Sequence, residues 1–308
     1  MVQSGTLANP EDPQMSTDAL AARAMTYLEG TSFDPVLVEP VEGMVLLRHQ
    51  KPTSWTATIY DPVACLILQG QKETAVRDRS IVLSAGEALV VSHDLPVVAR
   101  ITQAEPGRPY LAMIVALDTS LLRRLYDEVG AVPFADTDLH ALAAHRADPD
   151  LVEALSRYLA LASNPVEARV LLPLIRKEVH FRLLMAPNGG MLRQLLRHGS
   201  HASQIARAIA HLREDFRGPV NIPELASRVG MSPSSLYKHF KAVTSTTPLQ
   251  YLKDLRLLEA RRLLSEGGHT VSSAAYEVGY ESPSQFSREF SRKFGISPRL
   301  DRGVAAEM

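Results

Sequence analysis

Cysteine is almost absent from this 308-residue chain: Cys65 is the single one. No disulfide framework can form within the chain, which fits a reducing compartment. No apolar run reaches the roughly 18 residues of a membrane span. The N-terminus lacks a basic-then-apolar signal pattern. A cytoplasmic protein with no membrane partner is expected. The sequence has no His-x-His pair, no Gly-x-Ser-x-Gly nucleophile elbow and no phosphate-binding loop. It offers no catalytic signature, and neither enzymatic activity nor a cofactor is expected.

The charge is placed unevenly. The chain carries 33 Lys and Arg against 34 Asp and Glu, a formal −1. Between Ser200 and Gly303, 15 basic residues stand against 10 acidic ones, a net of about +5. Residues 1–199 hold 18 against 23, about −5. A basic C-terminal part on an acidic body points to a polyanion partner for that part alone. The length suits two domains and a connector, and 45% hydrophobic residues suffice for packed cores.

Residues 1–14 are polar with two prolines and are expected to be disordered. From Gly43 to Leu117 the chain reads as short strands cut by turns. The candidates are Met44–Arg48, Thr56–Tyr60, Ala64–Gln69, Lys72–Val76, Ser80–Leu83, Glu87–Val91, Val97–Ile101 and Tyr110–Leu117. Roughly eight strands at this spacing argue for a β-barrel or sandwich. From Thr119 to Met185 the apolar period becomes helical. Leu121, Leu122, Leu125 and Val129 form one stripe, and Leu151, Leu155, Tyr158 and Leu159 another. Val170, Leu174, Val179, Phe181, Leu183 and Leu184 supply a broader surface. These helices could cap the barrel, pair between subunits through the stretch from about Asp148 to Ala186, or both. Asn188-Gly189-Gly190 reads as the linker, after which a helix resumes through Ile205, Ile209 and Leu212.

The last third contains one helix-turn-helix pattern twice, about fifty residues apart. Asn221-Ile-Pro-Glu-Leu-Ala-Ser-Arg-Val-Gly230 precedes Met-Ser-Pro-Ser-Ser-Leu-Tyr-Lys-His-Phe240. Thr270-Val-Ser-Ser-Ala-Ala-Tyr-Glu-Val-Gly279 precedes Tyr-Glu-Ser-Pro-Ser-Gln-Phe-Ser-Arg-Glu-Phe290. Gly279 falls on Gly230, and beyond the turn Pro283, Phe286 and Phe290 fall on Pro233, Leu236 and Phe240. This is one supersecondary unit used twice, able to read two stretches of DNA. Asn221 with Glu224 starts the first copy as a capping box would, and Ser232-Pro233 starts its second helix. Leu236 and Phe240 turn inward, leaving Ser234, Ser235, Tyr237, Lys238 and Lys241 outside. In the second copy Ser284, Gln285, Ser287, Arg288 and Arg292 are left outside. Hydroxyls and cations suit base edges and phosphates; Gln suits adenine and Arg guanine. Any one of them could equally be a solvated helix face. Thr247-Pro248 opens a helix to about Ser265, a rod of roughly 27 Å between heads that must reach grooves about 34 Å apart.

The stretch Asn221–Pro298 resembles the double helix-turn-helix domain of the AraC/XylS transcription regulators. The resemblance rests on Leu225-Ala226, Gly230-Met231-Ser232, Phe240-Lys241, Leu255-Arg256-Leu257, Ala260, Leu263-Leu264, Val278-Gly279-Tyr280, Ser284-Gln285-Phe286, Phe290 and Gly295-Ile296-Ser297-Pro298. A further, looser likeness to a subgroup runs through Cys65, Gln69-Gly70-Gln71-Lys72, Leu89-Val90-Val91-Ser92, Asp94-Leu95-Pro96 and Pro109-Tyr110-Leu111. The resemblance implies an α+β chain. A flexible N-terminus and first helix would occupy 1–30, a cupin-like sensor barrel 31–118, and a helical dimerisation segment 119–190. An all-α double helix-turn-helix domain would occupy 200–303. The implied function is an activator that binds promoter DNA as a homodimer, answers a small molecule in the barrel and acts on RNA polymerase. The rival reading is a ligand-independent regulator whose barrel only supports dimerisation. Three departures stand out. Ser245 replaces the usual glycine after the first reading helix, so that turn is expected to be strained. Ala274 replaces the larger Leu225. Arg299-Leu300-Asp301-Arg302 departs from the usual ending.

Metal-bearing cupins resemble a three-histidine pattern, but this barrel holds only His49 and His93, far apart, so no metal is expected. For a ligand, strand alternation puts Cys65, Ile67 and Gln69 on one face and Ala64, Leu66 and Leu68 on the other. Cys65, Ile67, Gln69, His93 and Tyr110 are the candidate ligand-binding residues. Cys65 is either a small buried hydrophobe or a reactive thiol. No Lys, Arg or His adjoins it in sequence to lower its pKa, which counts against reactivity.

Overall fold

The computed structural model describes residues 16–31, 33–130 and 140–301; the polar N-terminal tail lies outside them. The chain opens with α1 (Thr17–Tyr27), capped by the Ser16 hydroxyl accepting from the Ala19 N–H. Nine strands follow: β1 (Val36–Val41), β2 (Met44–His49), β3 (Thr56–Tyr60), β4 (Val63–Gln69), β5 (Gln71–Val76), β6 (Arg79–Ser84), β7 (Glu87–Val91), β8 (Leu95–Gln103) and β9 (Tyr110–Ala116). Then come α2 (Thr119–Val129), β10 (Leu142–Arg146), α3 (Pro149–Ala160), α4 (Pro165–Met185) and α5 (Gly190–Leu196). The C-terminal part is helical: α6 (His201–Glu214), α7 (Ile222–Arg228), α8 (Pro233–Thr244), α9 (Pro248–Ser265), α10 (Val271–Glu277) and α11 (Pro283–Phe294). The protein is thus a β-rich N-terminal part joined to an all-α C-terminal part.

The strands form two antiparallel sheets, β1-β2-β9-β4-β7-β10 and β3-β8-β5-β6. Strand β4 shows why they face each other. Its Cys65 and Ile67 turn inward to meet Val97, Ile101, Tyr110 and Ala112 from both sheets. Its Ala64, Leu66 and Leu68 turn outward and are covered by α1, α3 and α4 through Leu20, Ala24, Leu155, Leu183 and Leu184. Both faces are buried, so the strand reads as a continuous apolar run rather than an alternation. Each fully buried Leu on the outer face contributes about 1.5–3 kcal/mol.

Two expectations for residues 119–190 are corrected. This segment is not purely helical, because Leu142-Ala-Ala-His-Arg146 is an edge strand on β7, with Leu142 opposite Val91 and Arg146 opposite Glu87. Leu and Ala favour helix locally, but pairing to an open sheet edge overrides that preference. Nor is Asn188-Gly189-Gly190 a linker. Pro187–Gly189 is a 3₁₀ turn with Asn188 and Gly189 buried, and it runs directly into α5. The Asn188 amide donates to the Ala88 carbonyl at 3.0 Å. A Cβ on Gly189 would lie 2.5 Å from the Leu183 carbonyl oxygen, so close backbone contact, not flexibility, requires the glycine. The link to the C-terminal part is the short turn between α5 and α6.

Candidate DNA-reading heads and the barrel interior

Helices α7 and α8 form the first head and α10 and α11 the second. The Asn221 side chain caps α7 by accepting from Glu224 N–H at 3.3 Å. The Glu224 carboxylate does not reach back to complete the box; it pairs with Arg228 at 2.6 Å. The second head has the full reciprocal box, formed by Thr270 and Ser273. Gly279 sits at φ 84°, and a Cβ there would fall 2.1 Å from the Arg217 carbonyl oxygen. Only glycine fits that turn.

Leu236 and Phe240 of α8 are fully buried, as are Phe286 and Phe290 of α11. Ser234, Lys238 and Lys241 are exposed on α8, with Ser235 and Tyr237 half-buried beside them. Ser284, Gln285, Arg288 and Arg292 are exposed on α11, with Ser287 half-buried. Some of these groups are already engaged. The Ser287 hydroxyl donates to the Pro283 carbonyl at 2.9 Å. The Gln285 amide donates to Glu289 at 3.3 Å. Arg292 lines a cleft shared with Arg77 and Val98 of the barrel. Lys238 and Arg288 are the exposed cations at matching turns of the two reading helices. In the second head, Ala274 is fully buried. The core around it is aromatic, with Phe286 and Phe290 ring centroids 5.5 Å apart and Phe290 and Phe294 4.5 Å. Beyond α11 a helical turn resumes at Pro298. Asp301 holds it to α9 by a two-point bond to Arg261 at 2.8 and 2.9 Å.

Helix α9 joins the heads, and two of its side chains do more than pack. Arg256 donates to the carbonyls of Phe216, Gly218 and Gly279 at 2.7, 2.7 and 2.9 Å. One guanidinium thereby ties the segment between α6 and α7 to the turn of the second head. Asp254, buried, accepts from Arg77 of the barrel and from Lys293 of α11, both at 2.7 Å.

The two sheets enclose Cys65, Ile67 and Tyr110 on one inward surface. Burial pushes the Cys65 thiol up, against the opposing pull of Lys72. The Tyr110 hydroxyl is buried and faces the Cys65 thiol, and burial raises it well above its ordinary value. Gln69 sits at the rim, with its amide donating to the Pro109 carbonyl at 2.7 Å. His93 is not part of this surface: it lies in the connection after β7, at the contact with α6. The strand register adds inward-facing groups that sequence reasoning missed. Lys72 and Thr74 share a face of β5, where Lys72 pairs with Leu83 and Ile101. His49 pairs with Tyr110. Their alternation with Val76 along β5 was the available signal.

Residues 40–191 match the family model described as the AraC-type transcriptional regulator N-terminus. Residues 225–302 match the one described as a helix-turn-helix domain. The chain belongs to the AraC/XylS family of transcription regulators. It is 32% identical over 124 residues to the HTH-type transcriptional activator RhaS of Escherichia coli. That match spans 40% of this chain and 44% of RhaS, so the chain covers less than half of the curated relatives it matches. In fold, it is similar to ToxT from Vibrio cholerae in its apo form (TM-score 0.53, 10% identity, 86% of this chain and 98% of ToxT). It is likewise similar to wild-type ToxT bound to an unsaturated fatty acid (TM-score 0.52, 11% identity, 81% and 95%). At such identities the likeness is one of fold.

In this AraC/XylS protein the barrel and the first head share a buried core that runs from Val91 and Leu95 through Ala141 to Ile205, Phe240 and Tyr251. Polar bonds fix the junction. The Ala141 N–H donates to the Val243 carbonyl at 2.9 Å, and the Tyr251 hydroxyl to the Asp94 carbonyl at 3.0 Å. His93 is buried, and burial lowers its pKa to about 4. The neutral ring donates from Nε2 to the Ala202 carbonyl at 3.1 Å and accepts at Nδ1 from the Ser92 hydroxyl at 2.8 Å. Arg213 of α6 binds both Asp61 and Asp94 of the barrel. Burial and the neighbouring Asp61 raise Asp94 to about 6. A cavity of about 600 Å³ opens beside these groups, between Pro62, Arg123, Leu196 and Arg207.

Proposed function

We propose that this AraC/XylS regulator is a promoter-binding activator. It works as a homodimer, takes a small molecule in its barrel and passes the signal to its two DNA-reading heads for action on RNA polymerase. The observation that carries the reading is the pair of heads on one rod, with Lys238 and Arg288 exposed at equivalent turns. The rod is tied to the barrel by Arg77–Asp254–Lys293. A change in the barrel has a short polar route to α11 through this triad. The dimer seam proposed is α4. Val166, Val170 and Leu174, four apart, leave 73%, 68% and 61% of their surface exposed, while Val179, Leu183 and Leu184 of the same helix are buried. A solvated apolar stripe at helical spacing suits a second copy of itself.

The test is fluorescence anisotropy on a promoter fragment, with wild type and Leu174→Asp compared at several salt concentrations. Wild-type affinity should fall steeply with salt as neutralised phosphates release counterions. Leu174→Asp should sediment as a monomer and bind more weakly. Salt-independent binding would sink the nucleic-acid part, and an unchanged sedimentation coefficient the dimer part.

A further inference from the structure

Helix α11 carries a single carboxylate, Glu289, among its cations and hydroxyls. Negative charge on a DNA-reading helix opposes the phosphates, so its place needs a physical reason. The side chain is turned to α9 and leaves 12% of its surface exposed. One oxygen accepts from the Lys253 ammonium of α9 at 2.8 Å. The other accepts from the Tyr280 hydroxyl at 2.9 Å. The Tyr280 ring stands edge-on to Phe286 in the core of the head, with centroids 5.3 Å apart. Burial pushes the Glu289 carboxyl up, but the bonds from Lys253, Tyr280 and Gln285 pull it down by more. The result is an ionised acceptor fixed in place.

The third donor is Gln285, one turn earlier on α11. Its Nε2 donates at 3.3 Å to the same oxygen that Lys253 binds. Its backbone is held as well, with the N–H donating to the Ser282 hydroxyl that caps the helix, at 3.3 Å. A free glutamine amide can present either end, because its NH2 and carbonyl have nearly the same shape. An ionised carboxylate accepts and never donates, so only the NH2 end can face Glu289. The carbonyl oxygen is thereby turned away from Glu289, and the second N–H is left beside it for a partner. Adenine shows the complementary pair in the major groove, the N7 acceptor and the N6 donor, whereas guanine shows two acceptors there. The first head is built differently: the position equivalent to Glu289 is His239, whose ring stacks on His201 at 3.5 Å.

Resting on the proposed entry of α11 into DNA, we propose that Glu289 is a positioning residue for base reading. Held by Lys253 and Tyr280, it fixes the Gln285 amide in the one orientation that reads adenine. The half-site under the second head therefore carries an A·T pair at the step that Gln285 meets. Glu289 itself touches no base and acts only through Gln285.

The experiment selects duplexes from a randomised pool with the full-length chain, then measures competition by every single base-pair change in the selected site. Wild type should prefer A·T at one base pair of one half-site by about 5- to 100-fold. Gln285→Ala should abolish the preference at that base pair alone. Glu289→Gln, equal in size, can face Gln285 with either end of its amide and should cut the preference about threefold or more. It also removes a negative charge, which strengthens binding to every sequence alike, so the ratio between sites is what is read. Tyr280→Phe, which spares the contact with Gln285, should cut the ratio less. In the Gln285→Ala background, Glu289→Gln should change no base preference. A preference that survives Glu289→Gln intact, or that falls equally with and without Gln285, would overturn the positioning role and leave α11 standing as a reading helix. Preference lost across the whole half-site in Glu289→Gln, with a lower melting temperature, would mark a fold defect and overturn it too. If no base pair answers to Gln285→Ala, the reader assignment fails and this proposal with it.

Discussion

Ser245 ends α8 at φ 59°, ψ 12°, a left-handed conformation where its counterpart Gly295 in the second head sits at φ 71°. A side chain there crowds the backbone at a cost of about 1–2 kcal/mol, which the Ser245 N–H bond to the Lys241 carbonyl at 2.9 Å helps to hold. Ser245→Gly should raise stability by about 0.5–1 kcal/mol in denaturant unfolding; a lower midpoint would show that the serine is not strained. Cys65 behaves as a buried hydrophobe with a raised thiol. Native protein should resist thiol alkylation until unfolded, and Cys65→Ser should keep its promoter response; rapid labelling of the native chain would restore the reactive-thiol reading. Two neighbours at the junction titrate in opposite senses. His93 has a folded pKa of about 4, below its unfolded value of about 6.5. The unfolded state gains the proton first, so stability is lost as pH falls from about 6.5 to 4, by about 3 kcal/mol at most. Asp94 has a raised pKa of about 6, so the native state gains the proton first. Its contribution is full below about pH 4 and is lost as pH rises through 6. The two slopes offset in wild type. In melting curves between pH 4 and 6.5, Asp94→Asn should steepen the acid loss and His93→Gln should reverse it. Parallel pH profiles for both variants would refute this pairing.

Among the elements, α9 is the one whose bounds and role were legible together. Thr247-Pro248 and the leucine spacing define Pro248–Ser265, and the structure has that helix. The Arg256 clamp was not legible, because it satisfies carbonyls of a loop and a turn that meet only in three dimensions. Arg256→Ala would leave three carbonyls without their donor and should cost about 2–3 kcal/mol, with the second head melting or exchanging amide protons ahead of the first. Loss spread evenly over both heads would contradict that coupling. Strands β3 and β7 could be read to the residue because breakers flank each of them. Strand β10 could not, since its Leu-Ala-Ala core carries no β signal and forms only because the edge of β7 is open. The Asn188-Gly189-Gly190 stretch misled for a related reason: glycine marks close approach as readily as it marks a flexible link.

For the whole molecule, the duplicated pattern was enough to reveal two DNA-reading heads, because each needs only local sequence: a cap, a glycine turn and two inward apolar side chains. The barrel interior was half legible. Alternation along β4 placed Cys65 and Ile67 correctly, but Lys72 and Thr74 face them from another strand, and sequence alone does not give register between strands. Nothing local announces that the connection bearing His93 packs on α6 rather than facing Cys65 and Ile67. The central claim is that α8 and α11 each enter DNA, held one groove apart by α9. A hydroxyl-radical and methylation footprint of the full-length protein on a promoter fragment tests it most directly. Two protected major-groove patches should lie on one face of the duplex, about 10 base pairs apart. Lys238→Ala should erase one patch and Arg288→Ala the other, each costing about 1–3 kcal/mol. A single patch, or both patches fading together in each variant, would contradict the account.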